Sequence, residues 1–270
     1  TFIESRFRGR KIPTIRTVGL GILPVCVAIA SFFVAASPVG ELDVHLDAEK
    51  GCESGEPMLV RRDSRCTVRL ESPNGRAILV GDSHAGQLSE GFVAAAGSLG
   101  LDATIATRAG KPLLAGNKSF LTKGDDPFLD AIIKEDPDVV VIAQSKDYPL
   151  DETTGTWEQR FRQVLLFFQR EGIEVVVVNS SAIAGIEPRE CSVFSVAVKR
   201  CESDTLVERT QVEARVSASF TMELEALQGT HAELVNLVNL FCGNEFCPTR
   251  RENRWMWRDS SHMSRYASEL

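Results

Sequence analysis

Ala77-Ile78-Leu79-Val80-Gly81-Asp82-Ser83-His84 runs from four apolar residues into a glycine and three polar ones, and Gln87–Leu99 follows with Leu88, Phe92, Ala95 and Ala96 at helical spacing. The pattern predicts a strand, a tight turn and a helix. It recurs downstream: Leu101–Thr107 reads as strand, Pro127–Glu135 as helix, Val139–Ala143 as a wholly apolar strand, Trp157–Arg170 as helix and Ile173–Asn179 as another buried strand. Strands that are apolar on both faces and alternate with helices predict a parallel sheet covered on both sides. With right-handed crossovers this is a doubly wound α/β domain, assigned to residues 77–270. After a Cys-bearing interruption at 183–203, a long helix from Asp204 to Gln228 and a last strand, Glu233–Phe241, complete the pattern.

Upstream, residues 41–76 are rich in Gly, Pro and charge and show neither helical nor alternating period. They predict a tether with a disulfide-clipped extension outside the fold. Before it lies Thr17–Gly40, a run without a charged residue that contains VGLGILPVCVAIASFFVAA. About 20 apolar residues at 1.5 Å per residue cover a hydrocarbon core of roughly 30 Å, so 17–40 is expected to be a transmembrane helix. Residues 1–16 hold Arg6, Arg8, Arg10, Lys11 and Arg16, whereas Glu41, Asp43 and Asp47 follow the run. That asymmetry puts 1–16 in the cytoplasm and the rest of the chain outside. A cleaved signal peptide is the rival reading, given Ala35-Ala36-Ser37, but a signal core is usually shorter. A chain that starts at Thr1 suggests a piece of a longer protein.

The composition, 43% hydrophobic and 25% charged, excludes disorder and a coiled coil. Against a net charge of −7 for the whole chain, the residues after the apolar run are more acidic still, which argues against nucleic acid as a partner because that affinity comes from Lys and Arg on phosphates. Of the seven cysteines, Cys26 lies in the apolar run and six pair naturally with sequence neighbours: Cys52 with Cys66, Cys191 with Cys201, and Cys242 with Cys247. Three local disulfides suit an exported domain, although six cysteines allow other connectivities. A zinc site is the alternative, weakened by spacings that are not CxxC and by the lack of a nearby histidine.

Ligands of open α/β sheets bind outside the carboxyl ends of the strands, and Ser83 stands there, after a strand and before a helix. Its hydroxyl is a candidate nucleophile near backbone N–H groups able to hold an oxyanion. Asp259-Ser260-Ser261-His262 supplies a carboxylate and an imidazole three residues apart, a base with its orienting group. Each piece has a plainer reading: Ser83 as a helix N-cap, Asp259 as a cap, His262 as a packed or surface histidine. His84 adjoins Ser83 too closely to serve easily as its base and reads as structural or as a lining group. His45 and His231 receive no role.

Val80-Gly81-Asp82-Ser83-His84-Ala85 resembles the first block of the SGNH (GDSL-type) hydrolase superfamily, and Asp259-Ser260-Ser261-His262-Met263-Ser264 resembles its last, Asp-x-x-His block. Upstream, Phe2-Ile3-Glu4-Ser5-Arg6-Phe7-Arg8 followed by an apolar helix resembles the end of acyltransferase-3 family membrane proteins that carry a fused SGNH domain, with Ser5 where proline is usual. The resemblance implies an SGNH-hydrolase-like fold preceded by one transmembrane helix, with Ser83 as nucleophile, His262 as general base and acid, and Asp259 as its orienting group. It also implies an oxyanion hole from the N–H groups of Ser83 and a glycine, for which Gly110 is the best match. The family's Gly-x-Asn-Asp block is missing, and Gln144, in Ala143-Gln144-Ser145-Lys146, is the substitute third donor. His84, Trp255, Trp257, the insert Ser180–Ser203 and the loop Gly110–Asp126 are candidate lining for an acceptor cleft.

The activity implied by the resemblance is O-acyl transfer, acetyl being the usual group, through an acyl-serine to a hydroxyl of a cell-envelope glycan or glycolipid. The acyl group would come from a donor such as acetyl-CoA used by an acyltransferase-3 membrane part in cis, and the domain itself would need no metal or cofactor. The cell membrane, with the C-terminal domain extracytoplasmic, is the expected location. Two rivals share the residues: an acetyl-esterase with water as acceptor, and a non-catalytic glycan-binding domain in which the three residues are relics.

Overall fold

The computed structural model describes residues 44–54, 64–116, 120–146, 155–179, 206–252 and 254–270. The expected transmembrane helix 17–40, the cytoplasmic segment 1–16, the insert Ser180–Ser203 and the Cys191/Cys201 pair lie outside the described residues. Among the described residues no helix is long and apolar enough to cross a membrane.

In chain order the elements are a helical turn α1 (Leu46–Glu49), strands β1 (Thr67–Val68) and β2 (Gly75–Gly81), a helical turn α2 (Ser83–Gly86), α3 (Ser89–Ser98), β3 (Leu101–Thr107), α4 (Pro127–Lys134), β4 (Val139–Ala143), α5 (Trp157–Arg170) and β5 (Glu174–Val178). Then come β6 (Leu206–Glu208), α6 (Arg209–Leu227), β7 (Glu233–Val235), α7 (Leu237–Phe241), β8 (Phe246–Pro248), β9 (Arg250–Arg251), β10 (Arg254–Trp255) and α8 (Arg265–Ser268).

The main sheet has the order β1-β3-β2-β4-β5-β7. Strands β3, β2, β4, β5 and β7 pair in parallel, as expected, and β1 adds an antiparallel edge to β3. The chain steps from β2 to β3 on one side and then crosses to β4 on the other, so the strand order reverses at β2. That reversal opens a crevice at the carboxyl end of β2, where doubly wound sheets bind their ligands, and Ser83 lies directly after it.

Period-two alternation sends neighbouring side chains of β2 to opposite cores. Ala77 and Leu79 pack with Phe92, Ala96, Met256, Trp257 and Met263. Ile78 and Val80 pack with Phe128, Ile132, Trp157, Phe161 and Phe168. The helices start at strong caps: the Asp126 side chain accepts N–H bonds from Phe128 at 2.7 Å and Leu129 at 3.2 Å, and Thr156 and Gln159 form a reciprocal capping box at α5. Beyond β4, Lys146 forms a buried ion pair with Glu223 of α6.

Two expectations are corrected. Residues 41–76 are not a tether outside the fold: in their described part, β1 is the edge strand, Cys52 and Cys66 are buried and disulfide-bonded, and His45 and Asp47 are buried polar groups. Their partners are distant in sequence, Thr107 Oγ1 donating to Asp47 Oδ2 at 2.9 Å for example. The run Glu233–Phe241 is not one strand either. Asn236 ends β7 by accepting the Val238 N–H at 2.9 Å and so starts α7. The Cys242–Cys247 disulfide closes the loop after it.

Candidate functional site

The turn that presents Ser83 is dictated by Gly81 and Asp82. Gly81 has φ 136°, and a Cβ there would collide with the carbonyl oxygen of Ala143 on the neighbouring strand, so only glycine lets β2 bend away at this point. Asp82 is fully buried. Its Oδ1 accepts the His84 N–H and its Oδ2 the Ser145 N–H, both at 2.8 Å, which ties the turn to the end of β4. Asp82 thus takes the N-cap role of α2 that a plainer reading gave to Ser83, and leaves the serine hydroxyl available. Ser83 opens the helical turn, where N–H groups have no acceptor within the helix.

The chain ends bring the base to it. His262 Nε2 lies 2.9 Å from Ser83 Oγ, and His262 Nδ1 lies 2.9 and 3.1 Å from the two oxygens of Asp259. With Nδ1–H donated to the carboxylate, Nε2 is left to accept the serine proton. Asp259 Oδ1 also accepts the backbone N–H groups of Ser261 at 3.0 Å and His262 at 2.8 Å. Burial alone would raise the Asp259 pKa. The His262 bond, the Ser261 N–H and the electrostatic attraction of the His262 ring outweigh it and hold this carboxyl well below the usual carboxylate range. Ser83, His262 and Asp259 therefore form a hydrogen-bonded chain of hydroxyl, imidazole and carboxylate, the geometry that a nucleophile, its base and an orienting group require.

The other expected site residues fall differently. His84 is buried, its ring centroid 5.2 Å from that of His262, so it stands beside the base. Gly110 sits in an exposed turn beyond β3 with φ 71°, and the Arg108 N–H two residues before it donates to the Gly81 carbonyl at 2.7 Å, anchoring this loop next to the nucleophile turn. Gln144 is corrected as an oxyanion donor: its buried amide grips the backbone of Leu113, accepting that N–H at 2.6 Å and facing that carbonyl at 3.5 Å. Trp255 and Trp257 are corrected as acceptor lining. Each is only 3% exposed, Trp257 in the core with Met263 and Trp255 under the Arg250 guanidinium.

Sequence reasoning passed over several residues that build the site. Asp82 carried a usable signal, an acidic residue directly before a strand-to-helix serine. Gln87 and His45 carried none: they hold Met263, the residue after the base, from 176 and 218 positions earlier in the chain.

A family model described as an SGNH domain fused to AT3 domains matches residues 51–270. Among solved structures, the periplasmic domain of a lipopolysaccharide acetyltransferase from Salmonella ser. Paratyphi A is similar, with 14% identity, 83% of this chain and 92% of that chain covered, and a TM-score of 0.56. A GDSL-like lipase from Bacteroides thetaiotaomicron VPI-5482 matches with 16% identity, 74% and 87% coverage and a TM-score of 0.34. Comparison with curated proteins gives no match. The chain belongs to the family of SGNH domains fused to AT3 domains.

Proposed function

From that membership and the triad geometry, we propose that this chain is the extracytoplasmic part of an O-acyltransferase, moving an acyl group, acetyl by preference, to a hydroxyl of a cell-envelope glycan or glycolipid through an acyl-Ser83 intermediate. The observation that carries the reading is the 2.9 Å approach of His262 Nε2 to Ser83 Oγ with Asp259 behind the ring at 2.9 Å. The family's fusion to AT3 domains fits this reading, in which an acyltransferase-3 membrane part in cis would pass on the acyl group of a donor such as acetyl-CoA. The similar Salmonella domain is named as periplasmic and as belonging to a lipopolysaccharide acetyltransferase, which favours transfer to a glycan outside the cytoplasm. Two disulfides among the described residues suit an oxidising compartment.

In the first half-reaction Ser83 Oγ attacks the acyl carbonyl while His262 Nε2 takes its proton, and Asp259 stabilises the resulting imidazolium. In this reading the oxyanion is received by the Ser83 N–H and, as the family resemblance implies, by that of Gly110. Collapse releases the donor's leaving group, protonated by His262, and leaves acyl-Ser83. An acceptor hydroxyl then attacks the ester, His262 takes that proton and returns one to Ser83 Oγ, and the glycan leaves as its ester. Water in place of the acceptor gives hydrolysis by the same steps.

The test is to load the full chain with an activated acetyl ester and follow its discharge by intact mass, with and without an envelope glycan bearing free hydroxyls. Faster discharge with glycan, accompanied by an acetylated glycan, is expected. Discharge at one rate with and without glycan, yielding acetate alone, would make the chain an esterase. A folded chain that binds glycan unchanged by Ser83→Ala and never acylates would make it a binding domain.

A further inference from the structure

His45 directly precedes α1, and its imidazole is buried at 3% exposure. Its Nδ1 lies 2.9 Å from Glu90 Oε2, and its Nε2 lies 3.1 Å from the backbone carbonyl oxygen of Met263. The Met263 carbonyl only accepts, so Nε2 donates to it while Nδ1 meets the Glu90 carboxyl. Burial pushes the Glu90 carboxyl up, but its hydrogen bond and electrostatic attraction to His45, with the Leu46 N–H at 2.7 Å, outweigh burial and keep it below its ordinary value. Arg265 Nε stands 3.7 Å from the other Glu90 oxygen.

Met263 is gripped from a second direction. Its N–H, in the peptide bond that joins it to His262, donates to Gln87 Oε1 at 2.6 Å. His45 thus holds the carbonyl of this residue while Gln87 holds its N–H, and the Met263 side chain is fully buried in the core. A buried pair of this kind is a poor source of stability, because desolvation offsets most of the attraction. It is an effective way to fix one backbone position in a dry interior.

We propose that His45 is a positioning residue for the acyl-transfer site: paired with Glu90, it holds the Met263 carbonyl, and so sets where the adjacent His262 ring meets Ser83. The inference rests on the acyl-serine reading above. It gives the segment that enters the domain, which carries neither nucleophile nor base, a direct mechanical hold on the catalytic base.

The experiment compares the full 270-residue chain as wild type, His45→Gln and Glu90→Gln. A fluorophosphonate reports the rate of Ser83 modification, which needs His262 as base but no knowledge of the acceptor. Thermal unfolding reports folding, and the downfield proton resonance of His262 Nδ1–H reports the bond to Asp259. His45→Gln is expected to slow Ser83 modification by about ten- to a hundredfold while still folded, since displacements of about 1 Å cost rates of that order. The downfield proton is expected to shift or broaden, which loss of stability alone would not cause. Glu90→Gln, nearly identical in shape, gives a smaller slowing and serves if His45→Gln does not fold. A folded variant with the wild-type rate and an unchanged downfield proton overturns the positioning role. A wild-type Ser83 inert to the reagent is a different result: it brings down the acyl-serine reading, and the positioning role with it.

Discussion

The nucleophile turn and the base-bearing loop meet within one hydrogen bond, yet they are held by opposite means. Residues 81–84 are fixed by their own sequence and the adjoining strand end: Gly81 bends, Asp82 caps, and both lean on β4 through Ala143 and Ser145. In the loop 258–264 the pairing of acid and base is local, Asp259 folding back onto the Ser261 and His262 N–H groups while the Arg258 N–H donates to the His262 carbonyl at 2.9 Å. Its position comes from elsewhere. His45 and Gln87 grip Met263, and Ser264 donates its hydroxyl to the Trp255 carbonyl at 2.6 Å. The chemistry of each half is short-range, whereas the register between the halves is long-range. A lesion in the turn should therefore damage fold and chemistry together, and one in the loop's supports should damage chemistry more than fold.

Asp259→Asn is the largest break short of removing the nucleophile or the base. An asparagine imposes the wrong imidazole tautomer, and a fall in acylation rate of about 10⁴ is expected. The same variant carries a pH signature. The native carboxyl is held below its ordinary value near 3.8, so its contribution to stability is complete well above that value and is lost as pH falls through it toward the lower native pKa. Wild-type and Asp259→Asn unfolding curves should therefore differ at neutral pH and converge in acid; a gap that widened in acid would contradict the assignment.

Gly81→Ala tests the turn. With φ 136° and the Ala143 carbonyl in the way, about 3 kcal/mol or more is expected, seen as a melting point lower by about 6–12 °C together with lost acylation. Gln87→Leu tests the loop from the side opposite His45. It removes the acceptor of the Met263 N–H, and a slowing of about tenfold with a loss of stability of about 1–3 kcal/mol is expected, read by acylation kinetics beside thermal unfolding. If Gly81→Ala left the fold intact while Gln87→Leu unfolded it, the contrast between the two regions would be reversed.

The same contrast explains what the sequence made legible. The runs 101–107 and 139–143 predicted β3 and β4 to the residue: 139–143 is wholly apolar, and in 101–107 the apolar residues outweigh Asp102 and Thr107, whose polar side chains are buried too. Ser83, Asp259 and His262 were legible because their partners within each block are adjacent in sequence. Residues 41–76 read as a tether because their polar side chains, Asp47 and His45 among them, find partners in Thr107, Glu90 and Met263, which no local pattern announces. The apolar run from Glu233 to Phe241 concealed a helix start, since one asparagine cap decided where β7 ended. Gln144 was misassigned because sequence shows that an amide follows the strand but not that the Leu113 backbone already occupies it.

The proposed acyl transfer requires Ser83 to carry the acyl group. Brief exposure of the full chain to an activated acetyl ester, followed by proteolysis and peptide mass measurement, tests it most directly. One acetyl increment is expected on the peptide bearing Ser83, absent in Ser83→Ala and nearly absent in His262→Ala. An increment that persists in Ser83→Ala, or a folded wild-type chain that acquires none, would contradict it.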